Sequence, residues 1–231
     1  MKRFFVPFFC LLSIILFACT NSREPENSTE VEPESIFLDY QVRGEEGNNL
    51  ITVLLQFRFE DEYGGTLLLE EPSRVELDGE QIPADSSKIT GPFYEIQKPV
   101  EWLNGTHHIV FTGSDKKKNS QPFKFRLLSL LTPVPDTIHR ADLIFEFAGI
   151  EEDHIRLLLT DTCFTGIGIN RLDTVRNGRL VIDKAELDNL FNGPVQLELI
   201  REYEKPLMTG DMERGRIVFS YSIKREFILV D

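Results

Sequence analysis

The feature that most constrains this chain is a two-residue period of apolar side chains. Ile51, Val53, Leu55, Phe57 and Phe59 fall on one side of an extended segment, and Gln56, Arg58 and Glu60 fall on the other. A helix would scatter those apolar groups around its circumference, whereas a strand gathers them on one face. The period returns at His107, Ile109 and Phe111, at Phe123, Phe125 and Leu127, and at Leu143, Phe145 and Phe147. It continues at Ile155, Leu157 and Leu159, at Ile167 and Ile169, at Leu180 and Ile182, at Val195, Leu197 and Leu199, and at Ile217, Phe219, Tyr221 and Ile223. Turn signals separate the runs: Glu62-Tyr63-Gly64-Gly65, Asp78-Gly79, Asn104-Gly105, Asn177-Gly178, Asn192-Gly193, and Thr209-Gly210-Asp211 through Gly215. Asp78-Gly79, between Val75 and Ile82, supplies the two positive φ angles of a tight hairpin. Lys184–Phe191 has helical spacing behind Asp183 as a cap, and reads as a short helix between strands. The fold class predicted is all-β, from half-buried antiparallel strands.

Thr132-Pro133-Val134-Pro135-Asp136 interrupts the pattern, because proline cannot donate to a ladder and restricts its predecessor. A boundary there leaves residues 35–130 and 131–231. A faint repeat relates them: Trp102-Leu103-Asn104-Gly105 and Leu190-Phe191-Asn192-Gly193 each precede an alternating strand. In size and pattern the halves resemble the tandem Ig-like modules of bacterial surface proteins. The resemblance implies two antiparallel β-sandwiches, the second with a short helix near 184–191. There is no Cys…Trp…Cys spacing, and a single irregular sandwich, or one sandwich beside a different β-domain, stays open.

The first eighteen residues differ. Lys2 and Arg3 precede an apolar run from Phe4 to Ala18, too short for a comfortable membrane span of roughly 20 residues but suited to a signal-peptide core. The run ends Leu16-Phe17-Ala18-Cys19, which resembles the lipobox of bacterial lipoproteins. The resemblance implies cleavage before Cys19, fatty acyl chains such as palmitate on that cysteine, and stable anchoring, since each buried methylene contributes about 0.8 kcal/mol. Residues 19–34, with five glutamates and two prolines, are expected to form a disordered acidic tether. Acids soon after the cysteine resemble the export signal of Bacteroidota surface lipoproteins. With Thr20 after Cys19, the expected address is the outer membrane, the leaflet being open.

The chain carries 38 acidic and 25 basic residues, a net charge of −13. That balance argues against nucleic acid as a partner. Cys10 leaves with the leader and Cys19 is expected to be acylated, so Cys163 has no disulfide partner. His107 and His108 are adjacent in a strand and point to opposite faces, which does not suit one metal ion. Glu151-Glu152-Asp153 with Asp161 has oxygen ligands of the calcium type but lacks a calcium-loop spacing. Lys116-Lys117-Lys118 is a basic tip on an exposed loop. Trp102 and Tyr40, Tyr63, Tyr94, Tyr203 and Tyr221 would suit a sugar-binding face only if several were exposed together. No nucleophile elbow, metalloprotease helix or phosphate-binding glycine loop is present.

The expectation is therefore a lipid-anchored envelope protein, non-enzymatic, acting as a binding or structural module for a protein or glycan partner. Its one assigned site residue is Cys19, for lipidation, with no catalytic residue, metal ligand or cofactor. An accessory glycan-binding lipoprotein of an uptake system, and a hydrolase with a site assembled from distant loops, are the alternatives.

Overall fold

A computed structural model of the chain describes residues 26–162, 168–209 and 212–231. Cys19 and Cys163 lie outside the described residues, as does Ile167.

The chain is all-β, and the alternation is why. Strands β1 (Ile36–Glu45), β2 (Leu50–Phe59), β3 (Arg74–Leu77), β4 (Glu80–Gln81), β5 (Ala84–Ser87), β6 (Gly91–Pro99), β7 (His107–Thr112) and β8 (Lys118–Phe123) make up the first half. Strands β9 (Ser129–Leu130), β10 (Thr137–His139), β11 (Leu143–Ala148), β12 (Glu152–Asp161), β13 (Ile169–Arg176) and β14 (Arg179–Ile182) follow. The helix α1 (Lys184–Leu187), β15 (Gly193–Thr209) and β16 (Met212–Val230) close the chain. The turn between β3 and β4 has Asp78 at φ 50° and Gly79 at φ 85°, the conformation expected of it. At the related Asn-Gly pairs Gly105 and Gly193 have φ 127° and 131°, but the apolar residues before them differ: Leu103 is buried where Phe191 is exposed, and Trp102 is half-buried where Leu190 is buried. The helix is one turn, shorter than 184–191; the Asp183 amide donates to Glu186 at 3.2 Å, and the chain then turns to bury Leu190.

In the first half, β4-β3-β7-β8 form one sheet, and β5-β6-β2-β1-β16-β15 run through the other. Inward rings join the two faces, with Phe57 and Phe111 at 5.0 Å and Phe123 and Phe219 at 5.8 Å between centroids. The larger sheet continues through β15-β12-β13. The β13–β14 hairpin keeps a single paired position, Arg176 with Arg179, after which β14 pairs with β11 and returns Phe145, Leu180 and Ile182 to the core.

The division at residue 131 is crossed by the last hairpin, so the two halves share one sheet. Along one edge of β16, β1 pairs in parallel from Leu38 opposite Gly215 to Glu45 opposite Ser222, and β10 pairs in parallel at Ile228–Val230. Along its other edge β15 pairs from end to end. The nineteen residues of β16 therefore belong to both halves, and the buried side chains form one connected core from Ile36 to Leu229. Gly215 permits the crossing, because a Cβ there would lie 2.1 Å from the Leu38 carbonyl oxygen.

Part of the expected tether is also folded. Residues 26–35 cross the base of the first half. Asn27 bridges to Leu68, the buried Ser28 hydroxyl accepts the Glu70 amide at 3.1 Å, and Val31 packs on the core. Composition misleads here because one valine and the backbone ladder supply the ordering that the acidic side chains do not.

Candidate functional site

Cys19 cannot be placed, so the site is sought among the described residues. The sequence candidates separate. His107 is buried and His108 exposed, on opposite faces of β7. The acidic turn does not join Asp161, which lies at the far end of β12 and accepts the Phe191 amide at 2.9 Å. Asp153 is taken by Arg201 at 2.7 Å, in a polar cleft between the halves that Glu151, Glu152 and Arg126 also line. No group of three or more possible metal ligands converges among the described residues. Of the tryptophan and tyrosines, Tyr63 alone is exposed; Tyr40, Tyr94 and Tyr221 are buried, and Trp102 and Tyr203 half-buried. That arrangement offers no stacked aromatic face for a sugar.

Two polar hubs were not legible as such. Asp78, a turn residue by sequence, accepts from Trp102 Nε1 at 3.1 Å and from the His108 amide at 2.8 Å, and lies 2.7 Å from His107 Nδ1. Burial pushes its carboxyl up, and the hydrogen bonds from His107, His108 and Trp102 outweigh that and hold it below the ordinary 3.8. The Trp102 and His107 rings lie 3.7 Å apart, and His107 Nε2 is buried without a hydrogen-bond partner among the described residues. A general base needs its free nitrogen open to a substrate. This pair instead locks a turn to a strand. The second hub is Asp39, 3% exposed on the outer face of β1, bridging Arg58 at 3.0 Å and Arg216 at 3.2 Å. Arg216 also reaches Glu62.

A third arrangement is concave. At the base, a cavity of about 270 Å³ opens between the two sheets, floored by Ile36, Leu38 and Phe111 and walled by Met212. Lys117 and Arg214 stand at its rim. Lys117 is held by Asp115 at 2.8 Å, which raises the ammonium and lowers the carboxyl from their ordinary values. Arg214 donates to the Glu34 carbonyl, tying the hairpin to the folded part of the tether. An apolar floor under a charged rim can hold a small amphiphilic group.

No family model and no curated protein matches this chain. Solved structures similar to it include a tandem pair of Ig domains of titin (9% identity, TM-score 0.22, covering 82% of this chain and 98% of that one). A complex of a Dpr Ig domain with DIP-gamma is at 9% identity and TM-score 0.23, covering 80% and 96%. The Yersinia pseudotuberculosis adhesin InvE is at 15% identity and TM-score 0.22, covering 86% of this chain and 61% of the adhesin. Superposition this loose carries no argument about partner or activity.

Proposed function

We propose that this chain is a lipid-anchored lipoprotein of the outer membrane and acts as a non-enzymatic binding or structural module. In this reading Cys19 carries the acyl chains, and the folded part stands on the membrane as one stiff body. The observation that supports it is the β15–β16 hairpin. Nineteen strand residues at about 3.3 Å each would extend for about 60 Å, and they run from the pole where the tether joins the fold to the far edge of the second half. A partner surface on β11–β14 would thereby be held at a set distance from the bilayer. Ile144 and Val181, a cross-strand pair on the outer face there, are both exposed and apolar.

The test is Cys19→Ser in the full chain, with palmitate labelling and fractionation as the readouts. Labelling and membrane retention of the native protein, both lost in the variant, are the expected results. An unlabelled native protein, or a variant that stays in the membrane fraction, contradicts the anchor.

A further inference from the structure

The large sheet ends, at the base of the first half, in a row of exposed apolar side chains. Register places them at one level. Phe59 is opposite Ile36, and Leu38 is opposite Gly215, so the end of β2, the start of β1 and the start of β16 lie side by side. Met208 on β15 is opposite Glu213, one residue from Met212. At the other side of the sheet, the β5–β6 turn is held at this level by Thr66, which pairs with Arg58 and donates its hydroxyl to the Thr90 carbonyl at 3.0 Å. From this edge project Tyr63 (87% exposed), Ile89 (95%), Met212 (57%) and Met208 (44%). They are spread over six strands, about 24 Å at 4.8 Å per strand. A soluble surface tolerates single exposed apolar residues. Four at one end of one sheet, with the two most exposed large apolar side chains of the described residues among them, is a pattern that calls for an occupant.

The chain itself indicates which. The folded part of the tether starts at Glu26, whose carbonyl accepts the Leu68 amide at 2.8 Å, at this same base. Glu26 lies seven residue steps on from Cys19, so the anchor point lies no more than about 25 Å from it, at 3.3–3.6 Å per extended residue. If Cys19 is acylated, this pole cannot stand far from the bilayer.

We propose that the base of the first half is a membrane-contact surface, in which Tyr63, Ile89, Met208 and Met212 rest in the headgroup layer of the bilayer that holds Cys19. This rests on the anchor reading above and adds an orientation to it. Tyrosine is at home at such a boundary, with an apolar ring and a polar end. The charge of the base selects the lipid. The chain carries 38 acidic against 25 basic residues, and at the base Glu34, Asp61, Glu62, Asp115 and Glu213 stand beside Lys117, Arg214 and Arg216. Such a surface is repelled by an anionic membrane and suits zwitterionic headgroups.

The experiment uses the full-length acylated protein in vesicles of phosphatidylcholine and phosphatidylethanolamine, with the Cys19→Ser protein in buffer as reference. Hydrogen exchange is read at residues 60–66, 87–91 and 212–214, and at the distal turn 176–179 as control. Slowing of about fivefold at the three base segments, with the distal turn unchanged, is expected. The combined variant Tyr63→Ser, Ile89→Ser and Met212→Ser, altered only at exposed positions and still anchored, should lose the slowing while its distal exchange stays native. Base segments that exchange on vesicles as they do in buffer, with the protein still floating with the lipid, overturn the contact and leave the anchor standing. A native protein that does not float overturns both. Slowing that appears in the Cys19→Ser protein in buffer as its concentration rises points to a second copy covering the base, and overturns the membrane contact.

Discussion

A carboxylate as enclosed as Asp39 has to be neutralised where it stands, and the guanidinium groups of Arg58 and Arg216 do so from two neighbouring strands. Removing the acid leaves two cations facing each other over a partly covered surface. Asp39→Ala should therefore cost about 2–4 kcal/mol of unfolding free energy, measured by urea denaturation. Asp78 makes a prediction about pH. Its carboxyl is held below the ordinary 3.8, so its stabilisation is complete above that value and is lost as the pH falls through it toward the folded value. Stability of the native protein should drop more steeply as the pH falls below about 4 than that of Asp78→Asn, which keeps the turn geometry but not the charge; parallel curves would contradict this. Tyr40 behaves oppositely: burial pushes its phenol far up and its hydroxyl has no partner among the described residues, so Tyr40→Phe should change stability by less than about 1 kcal/mol. The sequence marks Asp78 as a turn residue, since Asp-Gly has a local signature. It does not mark Asp78 or Asp39 as hubs, because their partners are 19 to 177 residues away and nothing local encodes that distance.

At the scale of elements, β16 is the member that neighbouring strands share. Its inner face is buried at every second position from Gly215 to Ile223, and at Phe227 and Leu229. Gly215→Ala would press a methyl group onto the Leu38 backbone and part β1 from β16, with an expected cost of about 2–4 kcal/mol. The outer edge of β15 has no ladder partner beyond Arg201 among the described residues, and Pro206 sits on that stretch without an N–H to offer. Pro206→Thr should make this edge stickier and raise self-association in sedimentation velocity, as an unblunted edge does. Long alternating strands such as β2, β12 and β16 are legible from their own residues. Their neighbours are not. The parallel pairing of β1 with β16 joins residues 177 apart, and the alternation of β1 is compatible with any apolar partner.

At the scale of the molecule, the all-β class and the paired Asn-Gly turns follow from the sequence, whereas the joining of the halves does not. The Pro133-Pro135 break is real as a local interruption, but the last hairpin carries the sheet past it. Two consequences should appear together: a single unfolding transition, and stability shared across the junction. Trp102, the only tryptophan, lies in the first half and reports on that half alone. Leu157 is fully buried on β12 in the second half. The direct measurement is thermal unfolding followed by Trp102 fluorescence in the native protein and in Leu157→Ala, a change that costs about 2–5 kcal/mol where it is made. One body built on β16 predicts that the Trp102 midpoint falls by about 5–10 °C; a midpoint that stays in place, while the second half melts earlier by circular dichroism, would show two independent modules.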